Sequence, residues 1–227
     1  MITLKYTKIG NAVFVSHIDM LKNMARIMRR ARLNVEFSQG FNPHMLLFFS
    51  PPIALGVASI AEYVTVDIKN ISPNDFLLAF NKAAPEGIVG LKAFYTEKSP
   101  NLAGQVVISD YEFPIKSAED TAKILAFFTN CKEYVLKFKQ KGVLTEKEVS
   151  SQILSVRCYN KGLIFALATG NDNLRADRFL SNLQADFNID TNIFDIRKTT
   201  QYVRTEKGLA EVDFLLMGGS REKTTSN

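Results

Sequence analysis

The chain contains two histidines, His17 and His44, and both stand where a proton or a ligand could be handled. His17 opens a segment of helical periodicity, and His44 closes the stretch Ser38-Gln39-Gly40-Phe41-Asn42-Pro43-His44. Gly40 permits backbone angles closed to other residues, while Pro43 fixes its own φ and drives Asn42 out of helical geometry, so a stiff loop is predicted. Ser38, Gln39 and Asn42 carry hydroxyl and amide groups that suit base edges or phosphate oxygens, and that equally satisfy the backbone of a tight loop. Phe41 is expected to be a buried plug, with stacking on a base as the alternative. His44 suits a ligand or a proton, or ties the loop down. A protonated His17 would oppose the helix dipole, so a neutral ring bonded to the backbone is its default state. If both rings met at one phosphate, His44 could withdraw the ribose 2′-hydroxyl proton and His17 protonate the leaving oxygen. With arginines stabilising the charge, that is a metal-independent endoribonuclease.

These groups need elements to position them. Ser16 caps a helix with Asp19 three residues on, and Ile18, Leu21, Met24, Ala25, Met28 and Ala31 supply its predicted buried stripe. Lys22, Arg26, Arg29 and Arg30 fall on the opposite side. Residues 1 to 50 hold seven bases (Lys5, Lys8, Lys22, Arg26, Arg29, Arg30, Arg32) against Asp19 and Glu36, so the whole net charge of +5 resides there. Such a region fits an anionic partner, nucleic acid first, although arginines at a helix carboxyl end also complement the dipole.

The order of elements is more regular than the sequence itself. Ile2, Leu4 and Tyr6 alternate with Thr3, Lys5 and Thr7 as in a half-buried strand; Met45 to Phe49 and Glu62 to Ile68 make two more. Glu62 is expected to pair with an arginine of the basic helix. Ser72 and Pro73 start a second helix that Pro85 and Gly87 end, and Leu91 to Tyr95 is a fourth strand. Strand, helix, strand, strand, helix, strand is the ferredoxin-like order. A second pass follows: a strand at Val106 to Phe113, a helix capped by Ser117, a strand through Tyr134, Leu136 and Phe138, a hairpin around Asn160-Lys161-Gly162, a helix ending near Phe187 and a strand from Phe194 to Arg204. The predicted fold class is therefore α+β, two tandem ferredoxin-like units (1–98 and 104–208) packed side by side, the second with an added hairpin. Ser99-Pro100-Asn101 would link them, and 218–227 would be a flexible tail.

Composition removes several functions. No apolar run reaches the roughly 18 residues of a membrane span, and the amino terminus alternates like a strand instead of building a signal peptide, so a cytoplasmic protein without membrane contact is predicted. Cys131 and Cys158 have no metal-ligand spacing, and no metal or cofactor is expected. Phosphate-binding Gly-Lys-Thr loops, dinucleotide fingerprints, zinc-protease helices and an iron-sulfur cysteine triad do not occur. Ser16 beside His17 does not supply the geometry of a serine hydrolase.

Phe14-Val15-Ser16-His17-Ile18-Asp19, Arg29-Arg30-Ala31, the loop from Ser38 to His44, and Gly56 through Ser59 to Glu62 together resemble the bacterial radical-SAM-linked protein family. The motifs cover roughly the first 65 residues. Members of that family are fused to, or encoded beside, radical S-adenosylmethionine proteins, an association that suggests work on RNA. Where the family pattern has a further proline and a basic residue after the loop histidine, this chain has Met45-Leu46, so a phosphate contact there would be lost. At the level of fold alone, the layout is also similar to CRISPR RNA-processing endoribonucleases. The resemblance implies an RNA-binding accessory protein that presents RNA to a radical S-adenosylmethionine partner. Lys22, Arg26, Arg29 and Arg30 would meet phosphates, and Ser38, Gln39, Phe41, Asn42 and His44 would meet unstacked bases. The alternatives are the endoribonuclease above and a protein-docking adapter without nucleic acid contact.

Overall fold

Apolar alternation at the amino terminus produces β1 (Ile2–Lys8), from which a 3-10 turn leads into α1 (His17–Arg30). A loop returns the chain through β2 (Leu47–Phe49) and β3 (Ala58–Val66), and α2 (Pro73–Ala83) and β4 (Gly90–Tyr95) complete the first half. The short α3 (Leu102–Gln105) leads to β5 (Val106–Pro114), α4 (Ala118–Asn130), β6 (Val135–Gln140) and β7 (Val143–Glu148). Then come β8 (Ile153–Tyr159), β9 (Gly162–Ala168), α5 (Ala176–Phe187), β10 (Arg197–Thr205), β11 (Gly208–Glu211) and α6 (Val212–Gly218). The computed structural model describes residues 1–140 and 142–218 of the chain. Gly218 of the expected tail closes α6, and the rest of that tail lies outside the described residues.

Local chemistry starts the helices as expected. Ser16, Ser72 and Ser117 each accept a hydrogen bond from the backbone N–H of the aspartate three residues on, at 3.2, 3.1 and 3.1 Å. One donor at each helix start is thereby satisfied, and a carboxylate is set at the positive end of the dipole. The buried face of α1 overlaps the predicted one: Met24 and Met28 are buried and Ala25 and Ala31 pack against the core as expected, but Met20 and Ile27 join them, whereas Ile18 is 65 % exposed and Leu21 is exposed as well. Both stripes have helical spacing, and periodicity alone does not choose between them. The consequence is two apolar side chains left outside the core at the start of α1.

One mixed sheet runs through both halves in the order β4-β1-β3-β10-β5-β9-β8, with β2 beside β3 and β11 beside β10. Two units lying side by side were expected; instead β3 divides one edge between two partners. Its end, Val64 to Val66, pairs with β2, while Ala58 and Ser59 at its start pair in parallel with Arg197 and Lys198 of β10. Ser99 and Pro100 of the predicted linker are half-buried, and Leu102 just beyond is fully buried. The hairpin at Asn160-Lys161-Gly162 forms β8 and β9 within the main sheet, and the additional hairpin is β6 with β7, a separate two-stranded sheet.

Helices α1 and α2 cover one face of the first half, α2 through Phe76 and Phe80, over Ile2, Leu4 and Val64, and in the second α4 and α5 bring Phe128 and Phe179 over Phe113 and Phe165. Because side chains alternate along a strand, Ala61 and Tyr63 point the other way, where they pack with Phe94, Leu102, Val203, Val212 and Leu216. β1 is consequently buried on both faces, with Thr3 and Thr7 as enclosed as Leu4, in place of the half-buried strand expected. Nothing in the alternation of β1 announces α6. Among the described residues, no helix is long and apolar enough to cross a membrane.

A carboxylate fastens α6. Asp213 accepts from the Tyr63 hydroxyl at 2.7 Å and from the ammonium groups of Lys92 and Lys5 at 2.9 and 3.1 Å. Burial alone would raise its pKa, but the three donors outweigh burial and hold the carboxyl below its ordinary value. A depressed folded-state pKa stabilises the fold above the unfolded value and loses that contribution as pH falls through the folded value. Asp213→Asn should therefore cost about 2 kcal/mol at pH 7, as for hydrogen bonds to a charged group. Thermal melts of the two proteins should converge as the solution is acidified below about pH 4.

Candidate functional site

The predicted loop is a pinned projection. An isolated bridge joins Phe37 to Met45, and within it the Ser38 N–H donates to the His44 carbonyl at 2.8 Å. The His44 N–H donates back to Ser38 Oγ at 3.1 Å, and Oγ shares a hydrogen bond with His44 Nδ1 at 2.9 Å. Gly40 takes a φ of +122°, open to glycine and strained for other residues. Gln39, Asn42 and His44 are exposed, and the Phe41 ring is fully exposed. The expected plug is thus corrected. The bridge holds Met45, buried, at the foot of the loop, and the tip beyond it carries the Phe41 ring out into solvent.

The basic helix divides by partner. Lys22 stands 3.8 Å from Asp19, one turn away, and the Arg30 guanidinium donates twice to the Ala83 carbonyl at the end of α2, at 2.9 and 3.2 Å. Arg30 therefore docks one helix on another. Arg26 and Arg29 are exposed and, among the described residues, form no ion pair or hydrogen bond through their side chains.

The structure does not bring His17 to His44. The His17 ring stands edge-on to Phe49, centroids 5.7 Å apart, and lines three adjoining clefts, none of which His44 lines. The smallest, about 20 Å³, also holds Tyr6, Lys8, Ser50 and Glu62. A second of about 280 Å³ is bounded by Pro52, Ile53, Tyr111, Asn173 and Arg175. Leu21 and Leu47 line the third, of about 430 Å³.

Beneath these clefts the two halves of the sheet meet on charged side chains. Lys198 Nζ lies 2.6 Å from Glu62 Oε1, with the two side chains only 1 % and 6 % exposed. Glu62 was expected to meet an arginine of α1, but it points into the seam, where β10 supplies the cation. The parallel pairing sets Lys198 beside Ser59, and a register shift after Tyr6 sets Lys8 opposite the same Ser59. Lys198 pairs with this carboxylate, and Lys8, beyond ion-pair distance of it, lines the same pocket. Burial pushes the Lys8 amine below its ordinary pKa; Glu62 works against that shift and Lys198 adds to it. Burial and the Glu62 charge push the Tyr6 and Tyr111 phenols up, so both hydroxyls stay protonated donors. Gln201 holds the layer together, donating to the Ala61 carbonyl at 2.6 Å and to Ser50 Oγ at 3.3 Å.

Sequence reasoning passed over Lys8, Lys198, Tyr6 and Tyr111. One signal was available: Lys8 continues the parity of Ile2, Leu4 and Tyr6, and a lysine in phase with a buried stripe is a buried lysine. Lys198 carried no such mark, because its environment depends on the pairing of β10 with β3.

Residues 1–178 match the model of a protein family described as uncharacterised protein conserved in bacteria (DUF2344). No curated protein matches the sequence.

Proposed function

The chain belongs to this family of uncharacterised proteins conserved in bacteria, and we propose that it is an RNA-binding accessory protein that presents single-stranded RNA to a radical S-adenosylmethionine partner. One observation carries the reading: Phe41 stands fully exposed at the tip of a loop clamped by Ser38 and His44. A large apolar ring held in water is costly, and stacking on an unpaired base removes that cost without requiring a particular base. Ser38, Gln39, Asn42 and His44 present polar groups around it, and Lys22, Arg26 and Arg29 supply phosphate contacts. The strand orders β4-β1-β3-β2 and β10-β5-β9-β8 support two ferredoxin-like units joined edge to edge as the scaffold. The partner class rests on the resemblance of the first 65 or so residues to radical-SAM-linked proteins. Cys131 and Cys158 cannot form the cysteine triad of the radical chemistry, which the partner would supply. The endoribonuclease alternative needs both imidazoles at one phosphate, and no observation favours it.

Fluorescence anisotropy of a labelled single-stranded RNA tests the proposal. Binding should weaken steeply with salt, and Arg26→Ala with Arg29→Ala should flatten the slope of log K against log salt by about 1.4, two contacts at about 0.7 each. Thermal stability should stay within about 0.5 kcal/mol, because both side chains lie on an exposed helix face. Affinity for RNA that is absent, or indifferent to salt, would turn the reading to a protein-docking adapter.

A further inference from the structure

We infer that the seam clefts, where His17 borders both the pocket of Lys8 and the larger cleft of Tyr111, form a phosphoryl-binding site separate from the exposed loop. The inference does not rest on the RNA reading.

Lys8 is only 5 % exposed, and among the described residues its ammonium makes no hydrogen bond and no ion pair within 4.0 Å. Glu62, the carboxylate it faces, is already held by Lys198 at 2.6 Å. Two ammonium groups against one carboxylate leave one buried positive charge unbalanced, an arrangement that costs stability unless an anion completes it. Glu62 lines the same pocket and Ser16 already caps the Asp19 N–H, but donors remain around the clefts. His17 begins a 14-residue helix whose first N–H groups have no carbonyl partner within the helix, and the Tyr6 hydroxyl faces the same pocket as Lys8. Arg175 stands at the start of α5 across the 280 Å³ cleft, its guanidinium held by Asp177 at 2.6 and 3.0 Å.

The shape selects the ligand class. The pocket of Lys8 and Glu62, at about 20 Å³, has room for about one water, and it adjoins the larger clefts at His17, Pro52 and Ile53. A tetrahedral oxyanion can accept from more than one side, as donors on a strand, a helix start and an imidazole would require. A phosphoryl group would balance the spare ammonium, with the His17 ring beside it. The group could belong to a small phosphate monoester or to an RNA end, and the two sources are separable by experiment.

Having two histidines, the protein reports on the site directly. The Cε1 proton signals of His17 and His44 can be assigned with His17→Gln and His44→Gln, and the full chain titrated at constant pH with inorganic phosphate. His17 should shift saturably while His44 stays still, and acetate should act more weakly. Lys8→Met should weaken phosphate binding about tenfold, the loss of one charge-assisted contact. Its melting temperature should match or exceed that of the wild type, because an unpaired buried charge has gone. Adenosine 5′-monophosphate and a pair of RNAs with 5′-phosphate or 5′-hydroxyl ends then identify the source. A His17 signal that stays fixed at millimolar phosphate, or a folded Lys8→Met that binds phosphate as tightly as wild type, overturns the site. Neither result bears on RNA binding by the loop, which the anisotropy of labelled RNA reads separately.

Discussion

Glu62→Gln should destabilise the protein by about 3–5 kcal/mol at neutral pH, the penalty for removing one partner of a buried ion pair. For a chain of 227 residues this lowers the melting temperature by roughly 6–20 °C. The amide keeps the shape of the side chain, so the loss is one of charge: Lys198, 1 % exposed, and Lys8 beside it would share the seam with no carboxylate. The two partners of the pair should not be equivalent. Lys198→Met should cost less, because Lys8 remains to balance Glu62, and Lys8→Met should cost nothing or stabilise, since it removes a buried charge that has no ion-pair partner. In Glu62→Gln, Lys8, whose amine burial already holds below its ordinary value, loses the carboxylate that opposes that shift and can escape the penalty by losing a proton. Its folded-state pKa would then lie further below the unfolded value, so the unfolded chain binds more protons and stability rises with pH between the two. The deficit of Glu62→Gln against wild type should accordingly shrink as pH increases toward about 10. Chemical denaturation of the three variants at pH 6 and pH 9 checks both the ranking and the sign. A Glu62→Gln protein as stable as wild type would mean that the seam is hydrated and its charges are cheap.

The residues of that seam show which parts of the molecule were legible in the sequence. Helix starts were readable, because a serine and the N–H three residues later satisfy one another within a single turn, as Ser16, Ser72 and Ser117 do. Strands β1, β5, β8 and β9 were readable from alternation and the turn at Asn160-Lys161-Gly162. Pairing between the halves was not. The contact of Ala58 and Ser59 with Arg197 and Lys198 spans most of the chain, and no local preference encodes it. The same holds for α6, whose burial depends on Asp213 meeting Tyr63, Lys5 and Lys92 from three strands. The candidate loop was legible because glycine and proline act on their own backbone. Whether Phe41 turned inward or outward was not, since that depends on what the Phe37–Met45 bridge leaves beneath it.

That outward turn sets the other large effect. Phe41→Ala should weaken binding of single-stranded RNA by about 1–3 kcal/mol, a factor of roughly 5 to 150, the range for one lost base stack. Stability should be unchanged within about 0.5 kcal/mol, because a fully exposed ring contributes no packing to lose. The salt slope should also stay the same, since the ring carries no charge and releases no counterions. This separates it from Arg26→Ala with Arg29→Ala, which should change the slope. Phe41→Tyr or Phe41→Trp should retain binding, as every aromatic face can stack, whereas Phe41→Leu, similar in hydrophobicity but without the flat ring, should lose most of it. The pin can be tested apart from the ring. Ser38→Ala removes the hydroxyl that accepts from the His44 N–H and shares a hydrogen bond with its ring, so the tip loses part of its clamp while Phe41 remains. A freer loop must be ordered on binding, and affinity should fall by less than in Phe41→Ala. If Leu serves as well as Phe at position 41, the ring is an apolar docking knob for a protein surface, and base stacking is not its role.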